Sequence, residues 1–178
     1  MKTPTSIQAA VLVPVYRGDG DEPHLVFIHR APGGPHGGQI AFPGGVREPG
    51  DLTLRDTALR EAHEEIGLHP ELVEIVEELE PVDTRATGFT ITPYLARIER
   101  PEVWRPQPGE VAAVLEVRVA DLLAPGVHGS RMAQFPGWPA PRRIDFYRIG
   151  PHELWGATYR IVTPLLPRLA NGELPEPY

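Results

Sequence analysis

"GGVREPGDLTLRDTALREAHEEIGL" spans residues 44–68, and its period changes partway through. As far as Asp51 it is turn chemistry, dense in Gly and Pro. From Thr53 onward, Leu54, Ala58, Leu59, Ala62 and Ile66 recur at helical spacing and make one apolar stripe. Asp51 and Thr53 are both candidate N-caps. Gly67 supplies a C-terminal stop, and Pro70 just beyond it agrees. The spacing predicts a short helix with Arg60 through Glu65 in its second half.

That half carries Glu61, Glu64 and Glu65. Residues three and four apart on a helix are neighbours, so Glu61 and Glu65 stand one above the other and Glu64 flanks them. Like charges so placed repel by about a few tenths of a kcal/mol per pair. They also sit at the negative end of the helix dipole. A solvated acidic face is one reading, since such faces are common. A divalent cation gripped by carboxylate oxygens is the other, and it would offset both penalties. Asp51, nine residues before Arg60 and at the far end of the same helix, can meet it as an ion pair. "FPGG" upstream (42–45) lets backbone come close to a ligand.

Outward from the helix the chain reads mostly as strands. Residues 7–17, 24–30, 73–82, 89–98, 111–119 and 142–149 are β-branched or alternating runs. Residues 18–23, 31–39 and 101–110 read as turns or loops, and 120–125 as a short turn. Residues 153–169 read as a closing helix, bent or interrupted at Pro164. Several strands, a helix, several strands and a helix predict an α/β fold: a mixed central sheet between helices, with no linker dividing residues 1–178.

Composition bounds the function. The 178 residues are 41% hydrophobic and 23% charged, with a net charge of −7 and no cysteine. That describes one globular domain, long enough to bury about 70% of its unfolded surface. Disulfides, thiolate nucleophiles and cysteine-bound metals are excluded. The acidic balance opposes broad nucleic-acid or anionic-membrane binding, though a bound cation can reverse the local sign for a phosphorylated substrate. The N-terminus lacks a signal-peptide core and no run approaches a membrane span, so a cytoplasmic location is expected.

Residues 44–68 resemble the Nudix box, the signature of the Nudix hydrolases. Its second half is matched in full by Arg60, Glu61, Ala62, His63, Glu64, Glu65, Ile66, Gly67 and Leu68. At average residue usage those five fixed positions would occur by chance in about one of several thousand chains this long. Five residues separate Gly45 from Asp51, which stands where the pattern has Glu, and eight residues rather than seven separate Asp51 from Arg60. The coenzyme A branch of the family is similar to this variant. Residues 36–45, 87–98, 109–123 and 154–161 also resemble segments of that branch. Between Arg30 and His36 the branch has a second arginine; here the stretch is "APGGP".

The resemblance implies a Nudix-like α/β/α sandwich whose acidic helix follows a Gly-rich loop. It implies metal-dependent hydrolysis of a diphosphate bond in coenzyme A or acyl-CoA, with ADP-ribose or NADH as alternative substrates and a non-catalytic nucleotide-binding module as the other class. Glu61, Glu64 and Glu65, with the Gly45 carbonyl, are the implied ligands of Mg²⁺ or Mn²⁺, the ions that oxygen-only donors suit. Arg60 is expected to orient Glu61 by pairing with Asp51. Either Glu61 or Glu110 is the general base, Glu110 being otherwise an exposed loop acid. Arg30, His36, Gly44 and Gly45 are candidates for contacting substrate; Arg30 and His36 have ordinary solvated readings as well. His63 is expected to face solvent. Phe42 and Phe89 either line a pocket or belong to the core, and Trp155 is expected to anchor the last helix in the core. Arg142 and Arg143, consecutive in a strand, should point to opposite faces. A homodimer is the base-rate expectation.

Overall fold

The structure, a computed structural model, describes residues 6–33, 36–84, 88–135 and 138–174. Thr87, which opens the segment 87–98, and two residues of "APGGP" lie outside them. The first strand, β1 (Ile7–Arg17), alternates strictly. Ala10, Leu12 and Tyr16 pack on one face, and Val13 and Val15 on the other. A strand buried on both faces belongs at the centre of a sheet with both faces covered. β1 pairs antiparallel with β2 (Pro23–Arg30) and with the short β4 (Gly44–Val46), and parallel with β7 (Phe89–Ile98). β3 (Ile40–Ala41) and β8 (Val111–Arg118) add to β2; β5 (Val73–Glu78) and β6 (Val82–Thr84) add to β7. The result is one eight-stranded mixed sheet.

Helix α1 (Leu54–Ile66) covers one face, burying Ala58, Ala62 and Ile66 against Leu12, Val26 and Ile28. The other face is covered by α2 (Val119–Leu122), α3 (Gly156–Val162) and α4 (Leu165–Ala170), whose Leu122, Val162, Leu165 and Leu169 meet Val13, Leu25 and Phe27. A second sheet of β9 (His128–Ala133), β10 (Arg142–Ile149) and β11 (His152–Trp155) is antiparallel throughout. The α/β/α layering expected from the order of elements is therefore present.

Three local expectations are corrected. Thr53 alone caps α1, its hydroxyl accepting from the Asp56 N–H while Asp56 accepts in return from the Thr53 N–H. Asp51 stands apart from the cap, buried beneath Arg60. Glu153 through Trp155 are strand, because their backbone pairs with β10, and the closing helix begins only at Gly156. Pro164 then divides it into α3 and α4, since a proline lacks the N–H that the helix needs. The turn expected at 120–125 is partly helical, as α2.

The C-terminus of α1 is closed from two sides. Gly67 takes the left-handed conformation at φ 70°, and its N–H returns to the Ala62 and His63 carbonyls. The loop before β8 donates the Arg105 N–H to the Ile66 carbonyl (3.0 Å) and the Gln107 N–H to the Glu65 carbonyl (2.9 Å). Carbonyls with no partner in the helix are thus satisfied, and Glu110 is brought to the acidic end.

Candidate active site

The site forms where β4 runs beneath α1. β4 registers on β1 with Val11 opposite Gly44 and Ala10 opposite Gly45. A Cβ on Gly44 would stand 2.3 Å from the Ala10 carbonyl oxygen, and one on Gly45 2.3 Å from Glu61 Oε1. Neither position has room for a side chain. The first glycine lets β4 lie against β1, and the second lets the Glu61 carboxylate rest on bare backbone.

Glu65 is buried, and its Oε2 accepts from the Gly44 N–H at 2.9 Å. Burial pushes its carboxyl up to about 7; the Gly44 N–H and Arg30 pull the other way, and Glu61 and Glu110 add to the rise. Burial likewise raises the Glu61 carboxyl, against the nearby Arg60. Glu64 is half-exposed, 3.2 Å from Arg60 Nη1.

Arg60 holds this group together. It forks onto Asp51 through Nε to Oδ1 and Nη2 to Oδ2, both 3.0 Å, and its Nη1 reaches Glu61 Oε1 at 2.9 Å. Asp51 also accepts from the Thr57 hydroxyl and the Glu48 N–H, each at 2.9 Å. The Arg60 guanidinium above all, helped by those donors, holds the buried Asp51 carboxyl well below the usual carboxylate range. Asp51 raises the Arg60 guanidinium in return. The eight-residue spacing between Asp51 and Arg60 therefore delivers a bidentate pair.

Arg30 ends β2 at a bulge, with its Nη1 3.8 Å from Glu65 Oε1. Its backbone bonds both ways with the glycine turn: Arg30 N–H to the Gln39 carbonyl (3.0 Å) and Gly38 N–H to the Arg30 carbonyl (3.1 Å). Glu110 accepts from Gln107 Nε2 at 3.3 Å, with its carboxylate side exposed. His36 is exposed on the glycine turn, and His63 is exposed with its ring against His69, centroids 4.7 Å apart.

Glu61, Glu64, Glu65, Arg60, Gly44, Gly45, Arg30 and Glu110 thus gather at one end of α1, whereas His36 stays on the turn beside it. Phe42 is fully buried and stacked on Phe27 at 4.7 Å, so it is core rather than pocket; Phe89 is half-buried at the start of β7. Trp155 is not the buried anchor expected: it is half-exposed and stacked on Phe135 at 4.4 Å. Arg142 lies over Trp138 and Arg143 by Asp145, so they make no joint patch. Thr57 and Glu48, which sequence reasoning passed over, complete the seat of Asp51. A threonine beside the apolar stripe of α1, one turn before Glu61, was the available signal.

The donor set fits a hard divalent cation: three carboxylates on one helix, two with raised proton affinity, beside a half-buried glycine backbone. As they stand, no three acidic or histidine side chains among the described residues converge closely enough to hold one. Arg60 Nη1 bridges Glu61 and Glu64 instead.

Residues 6–136 match the family model described as NUDIX domain. A protein of Salmonella dublin named "Uncharacterized Nudix hydrolase NudL" is 38% identical over 160 residues, covering 89% of this chain and 75% of that protein. The crystal structure of a Nudix hydrolase from M. smegmatis, RenU, is similar at 27% identity and a TM-score of 0.56, over 66% of this chain and 74% of that one. A MutT/nudix family protein from Enterococcus faecalis shares the fold at a TM-score of 0.62 and 17% identity, over 96% of this chain and 64% of that one.

Proposed function

We propose, from the premise that the chain belongs to the Nudix family of hydrolases, that it cleaves the diphosphate bond of coenzyme A or its acyl thioesters. The products would be 3′-phosphoadenosine 5′-phosphate and (acyl-)phosphopantetheine. One observation carries this reading. The segment that resembles the coenzyme A branch, residues 36–45, forms the wall of the carboxylate site. Its Gly44 N–H holds Glu65, its Gly45 makes room for Glu61, and its Gln39 carbonyl accepts from Arg30.

Glu61, Glu64, Glu65 and the Gly45 carbonyl would hold Mg²⁺ or Mn²⁺. Such an ion neutralises phosphate charge and lowers the pKa of a bound water. The chain's own residues do the rest. The Asp51–Arg60 fork fixes the guanidinium, so that its remaining Nη1 orients Glu61. Arg30, a third exposed on its side chain at the end of β2 and 3.8 Å from Glu65, offers donors to a substrate phosphate. Glu61, or Glu110 across from Glu65, takes the proton of the attacking water. Residues 1–178 act as one domain.

A second reading has a specific observation behind it. The branch's second arginine between Arg30 and His36 is absent, which favours a substrate with fewer phosphates than coenzyme A, such as ADP-ribose or NADH. Purified protein with Mg²⁺ or Mn²⁺ should be offered coenzyme A, acetyl-CoA, ADP-ribose and NADH, with products resolved by chromatography. Turnover of coenzyme A or acetyl-CoA well above the others supports the first reading; the opposite order replaces it with the second. Glu65→Gln should abolish turnover while the fold persists. Wild-type turnover by that variant would overturn the ligand assignment.

A further inference from the structure

The Gly37–Gln39 turn also walls a cavity of about 510 Å³ on the side of the second sheet. Phe135 and Trp155 line it as a stacked pair, ring centroids 4.4 Å apart and planes within 7°. Trp138 stands edge-on to both, at 5.1 and 6.3 Å. All three rings are only half-buried. Aromatic side chains that lock one another in place while left partly wet mark a surface built to be covered.

The same cavity is lined by Gln39, Arg148 and His152. His152 rests against His29, ring centroids 4.2 Å apart. A ligand that matches this lining is flat, with a π-face for the aromatic pair and donors and acceptors at its edge for the polar groups. A bare alkyl chain would cover the rings but offer no hydrogen-bond partner to the Gln39 amide or the exposed Arg148 guanidinium. The cavity also has a fixed relation to the carboxylates. Its glycine wall is hydrogen-bonded to the backbone of Arg30, whose guanidinium faces Glu65.

We propose that this cavity is the nucleobase subsite, in which the substrate's purine stacks against the Phe135–Trp155 pair and its edge meets Arg148, His152 and Gln39. The proposal rests on the reading that the substrate is a nucleoside diphosphate derivative, but not on which one.

AMP and ribose 5-phosphate isolate the base, because they share the phosphate and differ only by adenine. Binding of each, with Mg²⁺ present, is measured by titration calorimetry; AMP has no diphosphate bond to cleave. Wild-type protein should bind AMP about ten-fold or more tightly than ribose 5-phosphate, as base–aromatic stacking supplies. Trp155→Ala should bring that ratio close to one, and Trp155→Phe, which keeps a stacking face, should retain most of it. Phe135→Leu, in a loop, provides a second test should the first variant unfold. A wild-type ratio near one, or an undiminished ratio in folded Trp155→Ala or Phe135→Leu, overturns the assignment. So does loss of 4′-phosphopantetheine binding in Trp155→Ala with AMP binding intact, which would give the cavity to the other arm. No turnover is needed, so the two readings fail separately. Lack of hydrolysis with the ratio intact strikes only the catalytic proposal, and hydrolysis with a ratio of one strikes only the subsite.

Discussion

Glu65→Gln should stabilise the metal-free protein while it abolishes catalysis. Glu65 is buried and its carboxyl is raised to about 7 from an ordinary 4.5. For an acid shifted upward, the folded state holds the proton where the unfolded state has lost it. Stability is therefore full below 4.5 and falls as pH rises through the window from 4.5 to about 7. The rise from 4.5 to about 7 corresponds to about 3 kcal/mol as an upper bound, almost all of it lost by pH 8. Glutamine carries no charge, and its amide oxygen can still accept from the Gly44 N–H. Arg30 loses a partner only 3.8 Å away but is exposed enough to be hydrated instead. The variant should thus melt higher than wild type at pH 8, by up to about 9 °C for a chain of this size, and level with it near pH 5. The assay is thermal unfolding followed by circular dichroism in EDTA, from pH 5 to 8.5. Parallel wild-type and variant curves across that range would refute the reasoning. Added Mg²⁺ or Mn²⁺ should then raise the wild-type midpoint at pH 8 and leave the variant where it was.

Three more outcomes follow from the same geometry. Arg60→Ala strands the buried Asp51 with only Thr57 and the Glu48 N–H, and should cost about 3 kcal/mol in urea titration; Arg60→Lys should recover less than half, because an ammonium cannot fork. Gly45→Ala drives a methyl into the Glu61 carboxylate and should lower kcat by about 100-fold at nearly unchanged stability. Gly44→Ala instead meets the β1 backbone and should lower stability by about 2 kcal/mol; the reverse pattern, seen in paired kinetics and melts, would undo the division of labour assigned to the two glycines. Away from the site, burial alone would raise the Glu116 carboxyl, but hydrogen bonds from Arg100, Tyr16 and Trp104 outweigh it and hold it at about 2. That stability is present above 4.5 and lost as pH falls toward 2, so wild type should lose about 1–2 kcal/mol over that window, allowing for screening through the exposed Arg100, that Glu116→Gln does not.

The elements that were legible in the sequence are those whose pattern arises locally. β1 and β10 run over the residues their alternation indicates, and α1 carries its own cap, stripe and stop in Thr53, the Leu54–Ile66 period and Gly67. β9 was missed because "HGSRMA" is mostly exposed and offers no buried face to alternate. Glu153 through Trp155 of β11 fall within the helix that the sequence predicts, because they are strand only through pairing with β10, a contact that no local signal announces. The acidic cluster was legible from helical spacing. The seat of Asp51 was not, since Thr57 and the Glu48 N–H approach it only when the 48–51 turn folds against α1. Trp155 was misplaced for the same reason. Large aromatics are usually core, and only the folded second sheet sets Phe135 and Trp138 against it.

The charge balance of the site explains why a fold should tolerate so costly a helix. Among the described residues, Glu48, Asp51, Glu61, Glu64 and Glu65 all lie within ion-pair reach of just two guanidinium groups, Arg30 and Arg60. One of these is largely committed, because the Arg60 fork is spent on Asp51 and only Nη1 remains for Glu61 and Glu64. The other stands 3.8 Å from Glu65, too far for a hydrogen bond. Protonating a buried carboxyl relieves the excess in the metal-free chain, and Glu65, raised by its burial, is the group best placed to take the proton. A divalent cation relieves the same excess without the proton. On the proposed reading, stability forgone by the metal-free chain would return as affinity for the ion, and a sequence optimised for the metal-free fold would have removed these acids.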